Sequence, residues 1–176
     1  HIPDYALYGG NAGNDEDLSS PIPDMSELDP TNAHANDSIA DFLGTSRSSL
    51  GLEMGGTWGT YIAAGVMAYF TYRGYTDVAA AVTIAWGSLS WDAYTAQIDA
   101  DQPVLLSVDS DGNGTVDHTV LAIGYDRQTH QYACHRTWET DDPFTAQDEA
   151  LFWYDFTGVA TGVDFGINQA VFVSVA

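Results

Sequence analysis

The stretch Gln102 to Asp126, QPVLLSVDSDGNGTVDHTVLAIGYD, constrains this chain more than any other. Its first apolar run, Val104-Leu105-Leu106-Ser107-Val108, follows Pro103, a residue tolerated where a strand begins. The second, His118 to Tyr125, is apolar, partly β-branched and too short for an ordinary helix. Between them lie the nine residues Asp109 to Asp117, in which Asp-Gly and Asn-Gly are strong turn formers. The segment is expected to form a β-hairpin whose second strand opens with His118.

The turn also follows the start of a calcium loop. Oxygen-bearing side chains fall at its positions 1, 3 and 5 (Asp109, Asp111, Asn113), with Gly114 at position 6. Position 7 offers the Thr115 carbonyl and position 9 is Asp117. Calcium takes six to eight oxygens, and carboxylates crowded together without a cation repel one another. Position 12 is Val120 and not a bidentate Glu, and the flanks read as strands, so an EF-hand is not expected. A solvated turn without an ion accounts for the same residues. The expectation is Ca2+ on Asp109, Asp111, Asn113, Thr115 and Asp117, bracing the hairpin in a structural role.

Around the hairpin the pattern is mixed. Asn36 to Leu43 reads as a short helix stopped by Gly44, and Thr57 as the cap of a longer one through Tyr72. In the second, Ile62, Val66, Met67 and Phe70 share a face, a spacing that marks core more readily than a ligand site. Val78 to Trp86 reads as a strand, and Ser90 as the N-cap of a helix over Trp91 to Ile98. A third hairpin strand follows near Gln131, then an acidic loop over Glu139 to Glu149, then strands at Ala150 to Phe156 and Ala170 to Val175. Helices first and antiparallel strands after define an α+β domain over residues 36–176. Residues 1–35, rich in Pro, Gly, Asn and Asp, read as an extended arm anchored by Tyr5, Leu7 and Tyr8.

Charge narrows the partners. Against 25 Asp and Glu there are 4 Arg and no Lys, a formal net charge of −21. Such a field repels nucleic-acid backbones and anionic membranes, so neither is expected as a partner. It suits a medium rich in salt or calcium and an extracellular or secreted location. No apolar run reaches the length of a membrane span. One cysteine excludes an intramolecular disulfide, and His1, His34, His130 and His135 lack the spacing of zinc ligands.

Val116-Asp117-His118-Thr119-Val120-Leu121-Ala122-Ile123-Gly124-Tyr125 resembles the histidine strand of papain-like cysteine peptidases, with its DHAV-x-x-x-GY type of segment. Gln102-Pro103-Val104 stands where those proteins begin the preceding strand, and Gln131 to Trp138 where their next strand ends in Asn or Asp, Ser or Thr, then Trp. The acidic turn before the histidine and the Thr137-Trp138 pair are most similar to bacterial C39-like peptidase domains. Asp37 to Ser46 and Arg73-Gly74-Tyr75 resemble the same group, so the likeness spans roughly residues 37 to 175.

The resemblance implies a papain-like fold and peptide hydrolysis by a thiolate paired with an oriented imidazole. His118 is then the candidate base. The position of the orienting Asn or Asp is occupied by Arg136, whose guanidinium accepts no hydrogen bond; Asp117, Glu139, Asp141 and Asp142 are the candidate substitutes. Cys134, the only cysteine, falls mid-strand and not at the head of a long helix, as a small buried apolar residue would. The nucleophile helix is thus expected to be missing from this chain. Because the chain opens at His1 without Met or a signal sequence, that helix is expected on an upstream fragment of the same precursor. Arg136 points instead to a homologue that has lost its chemistry. Two functions follow: a C39-like domain inactive as this chain, or a non-catalytic, calcium-stabilised extracellular module that binds a peptide or protein partner or assembles with its own copies.

Overall fold

Val104, Leu106 and Val108 alternate along one strand, and the side chains of all three are fully buried. This period of two gives strand β2 (Val104–Asp109) its inward face. The computed structural model describes residues 39–45, 56–75, 81–136 and 151–174. They belong to two compact units, residues 1–79 and residues 80–176.

In the first unit, α1 (Ile39–Leu43) packs against α2 (Gly59–Tyr72). The approach is close enough that a Cβ at Gly65 would stand 2.8 Å from the Leu43 side chain. Phe42 sets its ring against Tyr69 and Tyr72, and Thr45 shares a 2.7 Å hydroxyl hydrogen bond with Thr57. Ile62 and Val66 are buried, as their spacing predicts. The cap expected at Thr57 is not formed: the N-cap is Trp58, which makes no side-chain capping bond, while Thr57 is engaged with Thr45.

The second unit is a six-stranded antiparallel sheet of order β1-β6-β2-β3-β4-β5. Its other strands are β1 (Ala81–Ala85), β3 (His118–Asp126), β4 (Gln131–His135), β5 (Phe152–Asp155) and β6 (Gly166–Val173). Trp86–Ser88 adds a 3-10 turn after β1, so the strand expected to reach Trp86 stops one residue short. Helix α3 (Trp91–Asp99) is capped as expected, with the Ala93 N–H donating to Ser90 Oγ at 3.1 Å. Tyr94 of α3 lies fully buried in the cluster of Val104, Leu106, Val120, Tyr132 and Ile167. Its ring meets Trp91 and Phe156, and Trp91 in turn stacks on the exposed His130 at a centroid distance of 4.2 Å.

Few helices and one antiparallel sheet make an α+β domain of papain-like type, as anticipated. Among the described residues no helix is long and apolar enough to cross a membrane. The arm expected over residues 1–35 and the acidic loop over 139–149 lie outside the described residues.

Candidate active site

His118 faces Val108 across the β2–β3 ladder, at the end of the strand pair where the acidic turn begins. Residues directly opposite in an antiparallel pair share a face, and side chains two apart on a strand do too. His118 therefore continues the row of Val120 and Ala122, with Cys134 opposite Ala122 on β4. It is half-buried, a ring fixed at the rim of a rigid sheet.

The ring is oriented by the neighbouring strand. His118 Nε2 stands 2.6 Å from the main-chain oxygen of Arg136, one residue beyond the end of β4. A carbonyl oxygen only accepts, so Nε2 carries the hydrogen and Nδ1 is the proton-accepting atom of the neutral ring. The position expected to lack an acceptor thus supplies one from its backbone, while its guanidinium turns elsewhere. That guanidinium lies over the Phe152 ring of β5, its carbon 3.4 Å from the ring centroid.

Of the other acceptors considered for His118, Asp117 is committed to the turn. Its two carboxylate oxygens receive the Ser110 N–H at 2.9 Å and the Ser110 hydroxyl at 2.8 Å. Glu139, Asp141 and Asp142 lie outside the described residues.

Cys134 is fully buried, paired with Ala122 on β3 and Phe152 on β5. Burial pushes its thiol up to about 12, and the nearby Arg136 charge offsets only part of that rise. A thiol so protonated is a packing group and not a nucleophile.

The acidic turn organises itself around Asp109, which is fully buried. Asp109 accepts the Asn113 N–H at 3.2 Å and the Gly114 N–H at 2.7 Å. Asp111 accepts from the Asn113 side-chain amide at 3.0 Å, and Asn113 Oδ1 accepts the Thr115 N–H at 2.8 Å. The loop after β5 closes over the turn, with the Gly162 N–H donating to the Gly112 carbonyl at 2.8 Å. Among the described residues, no three His, Cys, Asp or Glu side chains gather into a group that could hold a metal ion. Of the expected ligands, Asp109, Asp111, Asn113 and Asp117 turn their side-chain oxygens mainly onto N–H groups of the turn.

Phe152 and Tyr154, which flank Arg136 from β5, were not among the residues expected at the site. Their alternation in Phe152-Trp153-Tyr154 marks one face of a strand. Its register on β4, however, is set across the long acidic segment between them.

His118 thus stands at the head of a sheet strand, with its ring oriented by the end of the next strand, in an α+β domain. A family model described as Peptidase_C39 like family matches residues 27–161, and the chain belongs to that family. No curated protein and no solved structure matches the chain.

Proposed function

We propose that this polypeptide is an extracellular C39-like peptidase domain that keeps the base position at His118 and hydrolyses no peptide bond by itself. The observation that carries this is a division within the site: the imidazole is held in one orientation, while the chain's one thiol is sealed in the core. Hydrolysis would need a thiol from outside these 176 residues. Its proton would pass to His118 Nδ1, the thiolate would attack the peptide carbonyl, and the imidazolium would return the proton to the leaving amine. Water would then release the acyl group from sulfur.

The proposal includes calcium at the acidic turn. The oxygen pattern of Asp109, Asp111, Asn113, Thr115 and Asp117 supports it, as does the positive φ of 93° at Gly114, the sixth position. Asp111 and Asn113 would exchange their mutual hydrogen bond for the ion. The sealed thiol equally favours a second function, a non-catalytic calcium-stabilised module whose partner is a peptide, a protein or another copy of this chain. The excess of 25 acidic over 4 basic residues supports a location outside the cell and a partner that is not a nucleic acid.

The test is hydrolysis of quenched fluorescent casein by purified residues 1–176, beside His118→Ala. No turnover in either protein is expected. Turnover by the wild type that disappears in His118→Ala would overturn the proposed inactivity.

A further inference from the structure

In this site the acceptor that orients the imidazole is a main-chain carbonyl, which neither titrates nor carries a charge. Such an acceptor is only as well placed as the backbone that bears it. Arg136 follows the last ladder pair of β4, in which Leu121 faces His135.

We infer that Arg136 is a positioning residue for His118: its guanidinium, laid on the Phe152 ring, anchors the strand end whose carbonyl receives the His118 Nε2 hydrogen. Phe152 belongs to β5 and is itself fixed opposite Cys134, so the anchor is part of the sheet. Burial pushes the Tyr154 phenol up, and the nearby Arg136 charge offsets part of that rise. One residue thus faces both ways, with its backbone on β3 and its cation on β5.

The planar guanidinium is needed for stacking, so a lysine is a poor substitute. The expectation that this residue spoils the site is inverted: where an Asn or Asp would orient His118 through its side chain, Arg136 orients it through its backbone. The inference deepens the proposed role of His118, but it concerns the ring's orientation and is read without any nucleophile. Its failure and the failure of the peptidase proposal are therefore separable, one by spectrum and the other by turnover.

The experiment is a long-range proton–nitrogen spectrum of 15N-histidine-labelled residues 1–176 at alkaline pH, with His118→Ala assigning the resonance. The wild type should show His118 as the Nε2–H tautomer. Arg136→Ala and Arg136→Lys should shift the tautomer ratio towards Nδ1–H by about fivefold, the equivalent of ~1 kcal/mol for one hydrogen bond. Phe152→Leu should do the same while leaving Arg136 in place. The His130 resonance, set by its stack on Trp91, serves as the control for an intact fold. If Arg136→Ala fails to fold, Phe152→Leu decides. An Nδ1–H tautomer in the wild type, or an unchanged ratio in a folded Arg136→Ala or Phe152→Leu, overturns the inference.

Discussion

Tyr94 donates its phenolic hydrogen to the main-chain carbonyl of Gly124, 2.7 Å away, and so ties α3 to the point where the β3–β4 ladder slips. The register shift leaves Ile123 as the extra residue on β3, and Gly124, the next residue paired on β4, receives the buried phenol on its carbonyl. Tyr94→Phe keeps the ring and removes the donor. It is expected to lower stability by about 1 kcal/mol, the net contribution of one partly buried hydrogen bond. Urea unfolding measures this, and an unchanged midpoint would show that the bond adds nothing net.

A second expectation concerns Gly112, at the centre of the acidic turn. Its φ of 68° is a conformation L side chains rarely adopt, and a Cβ there would stand 2.8 Å from the Asp164 carboxylate and 3.0 Å from the Val163 nitrogen. Gly112→Ala should therefore cost about 1–3 kcal/mol through backbone strain, before the displaced loop is counted. Gly87→Ala, with open space around it, should stay within about 0.5 kcal/mol of the wild type. Equal melting temperatures for the two variants would contradict the packing of the 160–164 loop on the turn.

The buried thiol predicts both reactivity and alkaline stability. Iodoacetamide at pH 8 should leave Cys134 unmodified in the folded protein and label it in guanidinium. The sign for stability follows from its rise from an ordinary 9.0 to about 12. A group held protonated by the fold contributes fully below its unfolded value, and the contribution is lost as pH rises towards the folded one. Tyr94 and Tyr132 are also raised, chiefly by burial, from an ordinary value of 10.0. The melting temperature should hold steady below pH 9 and then fall, and Tyr94→Phe should make that fall less steep.

For the calcium proposal the readout is thermal. EDTA at fixed ionic strength should lower the melting temperature, and added calcium, but not an equal ionic strength of sodium chloride, should restore it. An identical melt with and without chelator would leave the turn as a hydrogen-bonded element only.

Local signals explain why the hairpin could be foreseen. Pro103, the alternation of Val104, Leu106 and Val108, and the Asp-Gly and Asn-Gly pairs all act within a few residues, and the observed strands begin at Val104 and His118 as they imply. The Ser90 cap is equally local. Strand β6 begins four residues before the expected Ala170 because Gly166, Asn168 and Gln169 carry little strand character of their own; β2, facing Gly166, Ile167 and Gln169, extends the strand back over them. At the site, His118 was visible because a motif marks it. The partner of its Nε2 was not, since any residue has a carbonyl and only the β3–β4 register decides which one arrives.

The strand order has a consequence for how the molecule comes to exist. β6, late in the chain, sits between β1 and β2 and bonds to both. During synthesis the hairpin of β2 and β3 can emerge and pair early, but β6, the partner of β1 among the described strands, comes only when residues 166–173 leave the ribosome. The half of the sheet around His118 can therefore assemble before the other half is available. Completion waits on one long-range insertion, which makes folding slow for a chain of this size and exposes β2 to wrong pairing in the interval.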